Sequence, residues 1–170
     1  MSPTLKLSGI VRESIVDGPG YRFVVFVQGC PHHCEGCHNP QTHSFEGGTV
    51  ATVDELFAEI LKNRHLKGVT LSGGEPFCQA AALSVLAEKC RENGLDVITY
   101  TGYTFEHLLS HAAENNGYLE LLKATDILID GKFDINKKSL LLKFRGSKNQ
   151  RPIDVKESLK QQKAVVKEFD

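Results

Sequence analysis

The chain has no tryptophan, a single methionine and only five cysteines in 170 residues. A small, odd cysteine count does not build a disulfide framework, and the sequence shows no secretory signal peptide. No apolar run approaches the roughly eighteen residues of a membrane-spanning helix. Neither sign of charge dominates. Twenty Lys and Arg stand against 21 Asp and Glu, and a net charge of −1 gives no global pull toward nucleic acid or anionic lipid. Repeats and low-complexity tracts are also missing. The remainder, 41% hydrophobic and 24% charged, is ordinary globular composition with enough apolar material for a core. The length favours one domain. The cysteine usage fits a reducing cytoplasm, where clustered thiols bind metal more often than they pair.

Hydrophobic patterning alternates strand and helix, which predicts an α/β fold with a mostly parallel sheet. Strands are expected over 21–28, 68–72, 96–101, 125–130 and 140–144. Helices are expected over 52–63, with Thr52 and Glu55 as a capping box, over 105–113 and 118–123, and around the apolar face of Leu83, Leu86, Ala87 and Cys90. Gly94 stops that last helix. The charged end, from about Lys156, reads as a helix or a frayed tail, so the expected division is a domain over 1–156 and a tail over 157–170. The chain is short for an eight-unit barrel of about 250 residues, and a partial six-strand barrel fits better.

Each chemically distinctive loop follows a strand. In a parallel sheet such loops gather at the carboxyl ends of the strands, which makes one shared site the expectation. The first loop contains Cys30, Cys34 and Cys37, spaced C-x3-C-x2-C, with no fourth cysteine to complete the set. Three thiolates this close can hold three irons of a four-iron cluster and leave the fourth iron open to a reactant. The alternative is a closed zinc site with His32, His33 or His38 as the fourth ligand. The next loop is Gly73-Gly74-Glu75-Pro76, a glycine pair that marks either a tight turn or a backbone edge approached by a ligand. Asp130-Gly131-Lys132 ends a later strand, and Asp17-Gly18-Pro19-Gly20 is a turn before the first one. Cys90 reads as a core residue, Cys78 as packed, and His32 and His33 as solvent-facing.

The cysteine spacing, followed in order by the Gly-Gly-Glu-Pro loop, resembles the radical S-adenosylmethionine (SAM) enzymes. Cys37-His38-Asn39-Pro40 is similar to their glycyl-radical activases. Tyr100-Thr101-Gly102-Tyr103, Asp130-Gly131-Lys132-Phe133 and Arg145-Gly146-Ser147-Lys148-Asn149-Gln150 resemble the activating proteins of anaerobic (class III) ribonucleoside-triphosphate reductases. The resemblance covers roughly 8–156.

It implies a partial (βα)6-type radical SAM barrel in a single domain, with a [4Fe-4S] cluster on Cys30, Cys34 and Cys37. Gly73, Gly74 and Glu75 would bind the SAM amino group, Asp130 and Lys132 its ribose and carboxylate, and His38 its adenine. An aromatic residue is common before the last cysteine, but here Gly36 offers only its backbone to the adenine. Asp17 would meet the protein substrate. Arg145 would brace its own turn or fork onto a carboxylate of SAM or of the reductase. The implied partners are the reductase and an electron donor such as flavodoxin. The implied reaction is reductive cleavage of SAM to a 5′-deoxyadenosyl radical, which takes hydrogen from a glycine of the reductase. Hydrogen-atom abstraction needs no acid–base pair, so none is expected.

Overall fold

The computed structural model describes residues 2–169. One seven-stranded sheet carries the fold: β1 (Thr4–Ser14), β2 (Arg22–Val27), β3 (Thr49–Thr52), β4 (Gly68–Gly73), β5 (Asp96–Tyr100), β6 (Ile127–Asp130) and β7 (Arg151–Asp154). The spatial order is β3-β1-β2-β4-β5-β6-β7. The four strands from β2 to β6 run parallel, whereas β1, β3 and β7 join antiparallel at the flanks. The result is a mixed α/β domain whose sheet ends at β3 on one side and β7 on the other.

Strand alternation gives the sheet two unlike faces. Phe23, Val25 and Val27 of β2, Val69 and Leu71 of β4, Val97 of β5 and Leu128 of β6 enter one hydrophobic core. Helices cover that face: α1 (Val53–Leu61), α2 (Ala80–Glu92), α3 (Phe105–Ser110), α4 (Tyr118–Lys123) and α5 (Val155–Gln161). Thr52 caps α1 by accepting from Glu55 N, as its sequence predicts, and Cys90 is wholly buried on α2. The intervening residues (Phe26, Ser72, Tyr100) face the other side and line a cavity. Low on that face, the fully buried Arg22 donates to Thr70 Oγ1 (2.8 Å), Val69 O (2.8 Å) and Pro19 O (3.0 Å), which ties the Asp17–Gly20 turn to β4.

One expectation fails locally. Residues 140–144 form no strand: Leu140 and Leu141 are 91% and 93% exposed, and Phe144 has φ +61°, which a strand does not tolerate. The division at 156/157 falls inside α5. Beyond α5 the chain folds back along β7, with Asp154 N donating to Val165 O and Lys167 N to Pro152 O.

Candidate active site

The loops after β2, β4, β5 and β6 open onto one cavity of about 630 Å³. The first loop supplies Cys30, Cys34 and Cys37, the second Gly73 and Gly74, the third Thr101 and Gly102, and the fourth Gly131 and Phe133. The cysteine loop is held at its base. Gly29 N donates to Thr42 O (2.7 Å) and Cys30 N to His43 O (3.1 Å), while the Gln28 amide reaches Gln41 O and Ser44 O. Cys37 N donates to Cys34 O, closing the turn between those two thiols, and Asn39 N points at Cys37 Sγ (3.4 Å). Cys30 is buried, and Cys34 and Cys37 are half-buried. Burial pushes the Cys30 and Cys34 thiols up. At Cys34 it outweighs the Phe133 N–H and the nearby charge of Lys132, which both favour the thiolate.

The glycine pair earns its place through close packing. A Cβ on Gly74 would stand 2.3 Å from Gly29 O, and one on Gly73 would stand 2.3 Å from Val27 N. Only glycine lets this backbone lie against the root of the cysteine loop, and Glu75 N then donates to Gly29 O (2.8 Å).

Glu75 is held by the protein's own donors. Its carboxylate is fully buried and does not line the cavity. It accepts from His32 Nε2 (2.7 Å), Gly102 N (2.8 Å), Thr101 Oγ1 (2.9 Å) and Phe77 N (3.0 Å). Glu75 is therefore a strut joining the cysteine loop, its own loop and the loop after β5. His32 reverses its expectation. Its side chain is 6% exposed, set edge-on to Tyr103 at 4.6 Å, because Gly102 leaves room for the ring. His33 is exposed, as expected, whereas Cys78 is exposed rather than packed.

Asp130 is also held by the protein's own donors. Fully buried, it accepts from Arg151 Nη2 (2.6 Å) and Nε (3.0 Å) and from Phe105 N (2.7 Å), so it joins β6 to β7 and α3 and does not line the cavity. Lys132 is exposed and lines a separate cleft with Tyr103, His107 and Arg151. Gly36 also lies off the cavity, at φ +74°, against Ile135 and Phe133. Asp17, His38 and Arg145 do line it. Asp17 accepts from Ser14 Oγ (2.5 Å), and His38 tilts against Phe133 at 5.4 Å. Arg145 forks onto a carboxylate, but of its own chain: Glu168 accepts from Nη1 (2.8 Å) and Nη2 (3.3 Å).

The segment after Arg145 now has a physical reading. Gln150 Oε1 accepts from Gly146 N and Ser147 N, its amide donates to Gly131 O, and the Asn149 amide donates to Lys132 O. This turn thus fixes the loop that carries Gly131 and Phe133. Phe133 and Tyr100 are cavity residues that sequence reasoning passed over. Phe133 directly follows the Asp-Gly-Lys run, and Tyr100 ends β5 just before the Thr-Gly pair, so position at or beyond a strand's carboxyl end was the available signal.

Cys30, Cys34 and Cys37 are the thiol donors on this cavity. A polynuclear cluster takes each thiolate on a separate iron, and three thiols beside a cavity of this size fit one with an open position. Residues 16–153 match the family model described as a 4Fe-4S single cluster domain. The chain is 40% identical to the anaerobic ribonucleoside-triphosphate reductase-activating protein of Enterobacteria phage T4, over 80% of this chain and 85% of that one. It belongs to the anaerobic ribonucleoside-triphosphate reductase-activating protein family. It is 33% identical to the Escherichia coli member over 80% and 90% of the two chains. Against the pyruvate formate-lyase-activating enzyme of Clostridium pasteurianum it is 36% identical, but spans only 50% of that protein. In fold it is similar to QueE from Escherichia coli, with a TM-score of 0.50, 17% identity, and 75% and 70% of the chains covered. The members of this family are radical SAM enzymes, and the cofactors are a [4Fe-4S] cluster and SAM.

Proposed function

We propose that this chain installs a glycyl radical on an anaerobic ribonucleoside-triphosphate reductase. The observation that carries the reading is the single cavity in which three thiols, with no fourth cysteine, face the Gly73-Gly74 backbone. Cys30, Cys34 and Cys37 hold the cluster. Held by these thiolates, a cluster would supply the electron for reductive cleavage of SAM. The chain's own residues position that event. The Gly73-Gly74 edge takes the amino group, with Glu75 holding the edge against the cysteine loop from behind. His38 and Phe133, whose rings lie 5.4 Å apart, offer ring faces to the adenine where Gly36 has none, which supports their taking the base. Lys132 stays available for a carboxylate at the rim. Val16, Asp17 and Leu140 border the cavity, and a glycine-bearing segment would enter past them. With the substrate segment seated over the cavity mouth, the radical would be kept from water and held at a set distance from the target hydrogen. The electron comes from a low-potential carrier such as flavodoxin, and the setting is a reducing cytoplasm, consistent with five unpaired cysteines.

The test pairs the anaerobically reconstituted protein with a purified class III reductase and, separately, with pyruvate formate-lyase. A glycyl-radical EPR doublet with the reductase is expected. A doublet with formate-lyase alone overturns the assignment.

A further inference from the structure

Charge is unevenly placed on this chain. Residues 131–151 carry seven Lys or Arg against one Asp, a net +6, although the whole chain is −1. Two of the cations are used internally, since Arg151 pairs with Asp130 and Glu106, and Arg145 with Glu168. The other five, Lys132, Lys137, Lys138, Lys143 and Lys148, are exposed, and none forms an ion pair among the described residues. Such a block is self-repelling and is not balanced by the fold.

Its place matters as much as its charge. The segment lies on the cysteine loop: Gly36 packs on Ile135 and Phe133, and Phe133 packs on His38. Phe133 N–H and the charge of Lys132 both act on Cys34. Lys148 N donates to Lys137 O, and Asn149 to Lys132 O, so Lys132, Lys137 and Lys148 come from backbone strands laced together. The unpaired charge is therefore carried by the segment that packs on the cysteine loop through Phe133 and Ile135.

We propose that Lys137 and Lys148 form the docking face for an acidic one-electron carrier protein. This rests on the cluster reading above. The reaction consumes one electron per SAM, and the carrier is oxidised by one electron as the bound cluster is reduced. A carrier seated here reaches the thiolate loop through a single layer of chain, at Phe133–Ile135. The apolar rim at Val16 and Leu140 stays open to the glycine-bearing segment. A basic surface also matches the demand for a transient complex, because opposite charge raises the encounter rate without requiring slow release.

The test uses the reconstituted full chain and its Lys137→Glu/Lys148→Glu variant, neither residue being part of the cavity. 5′-Deoxyadenosine formation is measured with reduced flavodoxin and, separately, with dithionite. With flavodoxin at low salt, the variant is expected to be slower by about tenfold or more. The gap should close toward 1 M salt, where charges are screened within about 3 Å. With dithionite the two proteins should be equal. Equal flavodoxin rates in both proteins overturn the docking face while leaving the cluster reading intact. So does a variant that is normal with flavodoxin yet fails to activate the reductase, which would give the face to the reductase. No SAM cleavage with dithionite in the wild type defeats the cluster reading itself.

Discussion

Replacing Glu75 with Gln separates a strut from a ligand contact. The carboxylate receives four donors in a dry setting: His32 Nε2 and Gly102 N on Oε1, Phe77 N on Oε2, and the Thr101 hydroxyl within 2.9 Å of both. An amide in the same rotamer must aim its NH2 at one of two backbone N–H groups. Keeping the oxygen toward Gly102 and His32 leaves Phe77 N–H facing another donor. Thr101 can turn to accept, but a backbone N–H cannot. A buried N–H left unpaired costs roughly 1–3 kcal/mol, and the remaining bonds lose the reinforcement of a charged acceptor. The sum is about 3 kcal/mol. For a domain of this length each kcal/mol is worth about 2–4 °C, so Tm should fall by roughly 6–12 °C. Calorimetry on the metal-free protein gives the first reading, and SAM affinity of the reconstituted variant the second. The strut account expects the thermal loss with SAM affinity changed only a few-fold. A Tm within about 2 °C of wild type, together with loss of SAM binding, would falsify it, because the carboxylate would then be serving the ligand.

Other perturbations test neighbouring parts of the account. Gly74→Ala must push Gly29 O away, since the new Cβ would sit 2.3 Å from it, so SAM cleavage should drop by about a hundredfold. A near-normal rate would show that the two loops need no such contact. Arg151→Met leaves Asp130 buried without its cation and should cost about 3–5 kcal/mol by urea denaturation. A loss below 1 kcal/mol would mean that Asp130 finds another partner or takes up a proton. Iron loading should improve as pH rises. Burial holds the Cys30 and Cys34 thiols above their ordinary pKa, each thiol must lose its proton to bind, and lower pH therefore opposes loading. Loading that is flat from pH 6 to 9 would contradict that sign.

The sequence exposed the parallel centre well and the flanks poorly. β2, β4, β5 and β6 are apolar, β-branched and followed by distinctive loops, so both the strands and the convergence of their loops could be read. β1 escaped because its register shifts between Leu7 and Gly9, which breaks the alternation that marks a strand. β7 contains Pro152, a residue that argues against a strand until it is seen at the sheet edge. Leu140-Leu141-Leu142 misled in the other direction: an apolar run states a need for burial, not where the burial occurs. Within the site, the three thiols and two glycines were legible from spacing. The partners of Glu75, Asp130 and His32 were not, because a charged side chain looks the same in sequence whether it faces a ligand or a buried donor. The partner decides, and Arg151, Gly102 and Thr101 come from other loops.

The central claim is that this cavity directs a radical from SAM to a glycine of the reductase. Reductase carrying α-deuterated glycine should be incubated with the reconstituted protein, SAM and reductant, and the 5′-deoxyadenosine weighed by mass spectrometry. The account predicts deuterium in the 5′-deoxyadenosine produced as the glycyl radical forms, and none of that product from a Cys34→Ala protein that still folds. 5′-Deoxyadenosine formed in step with the glycyl radical but without deuterium would contradict it.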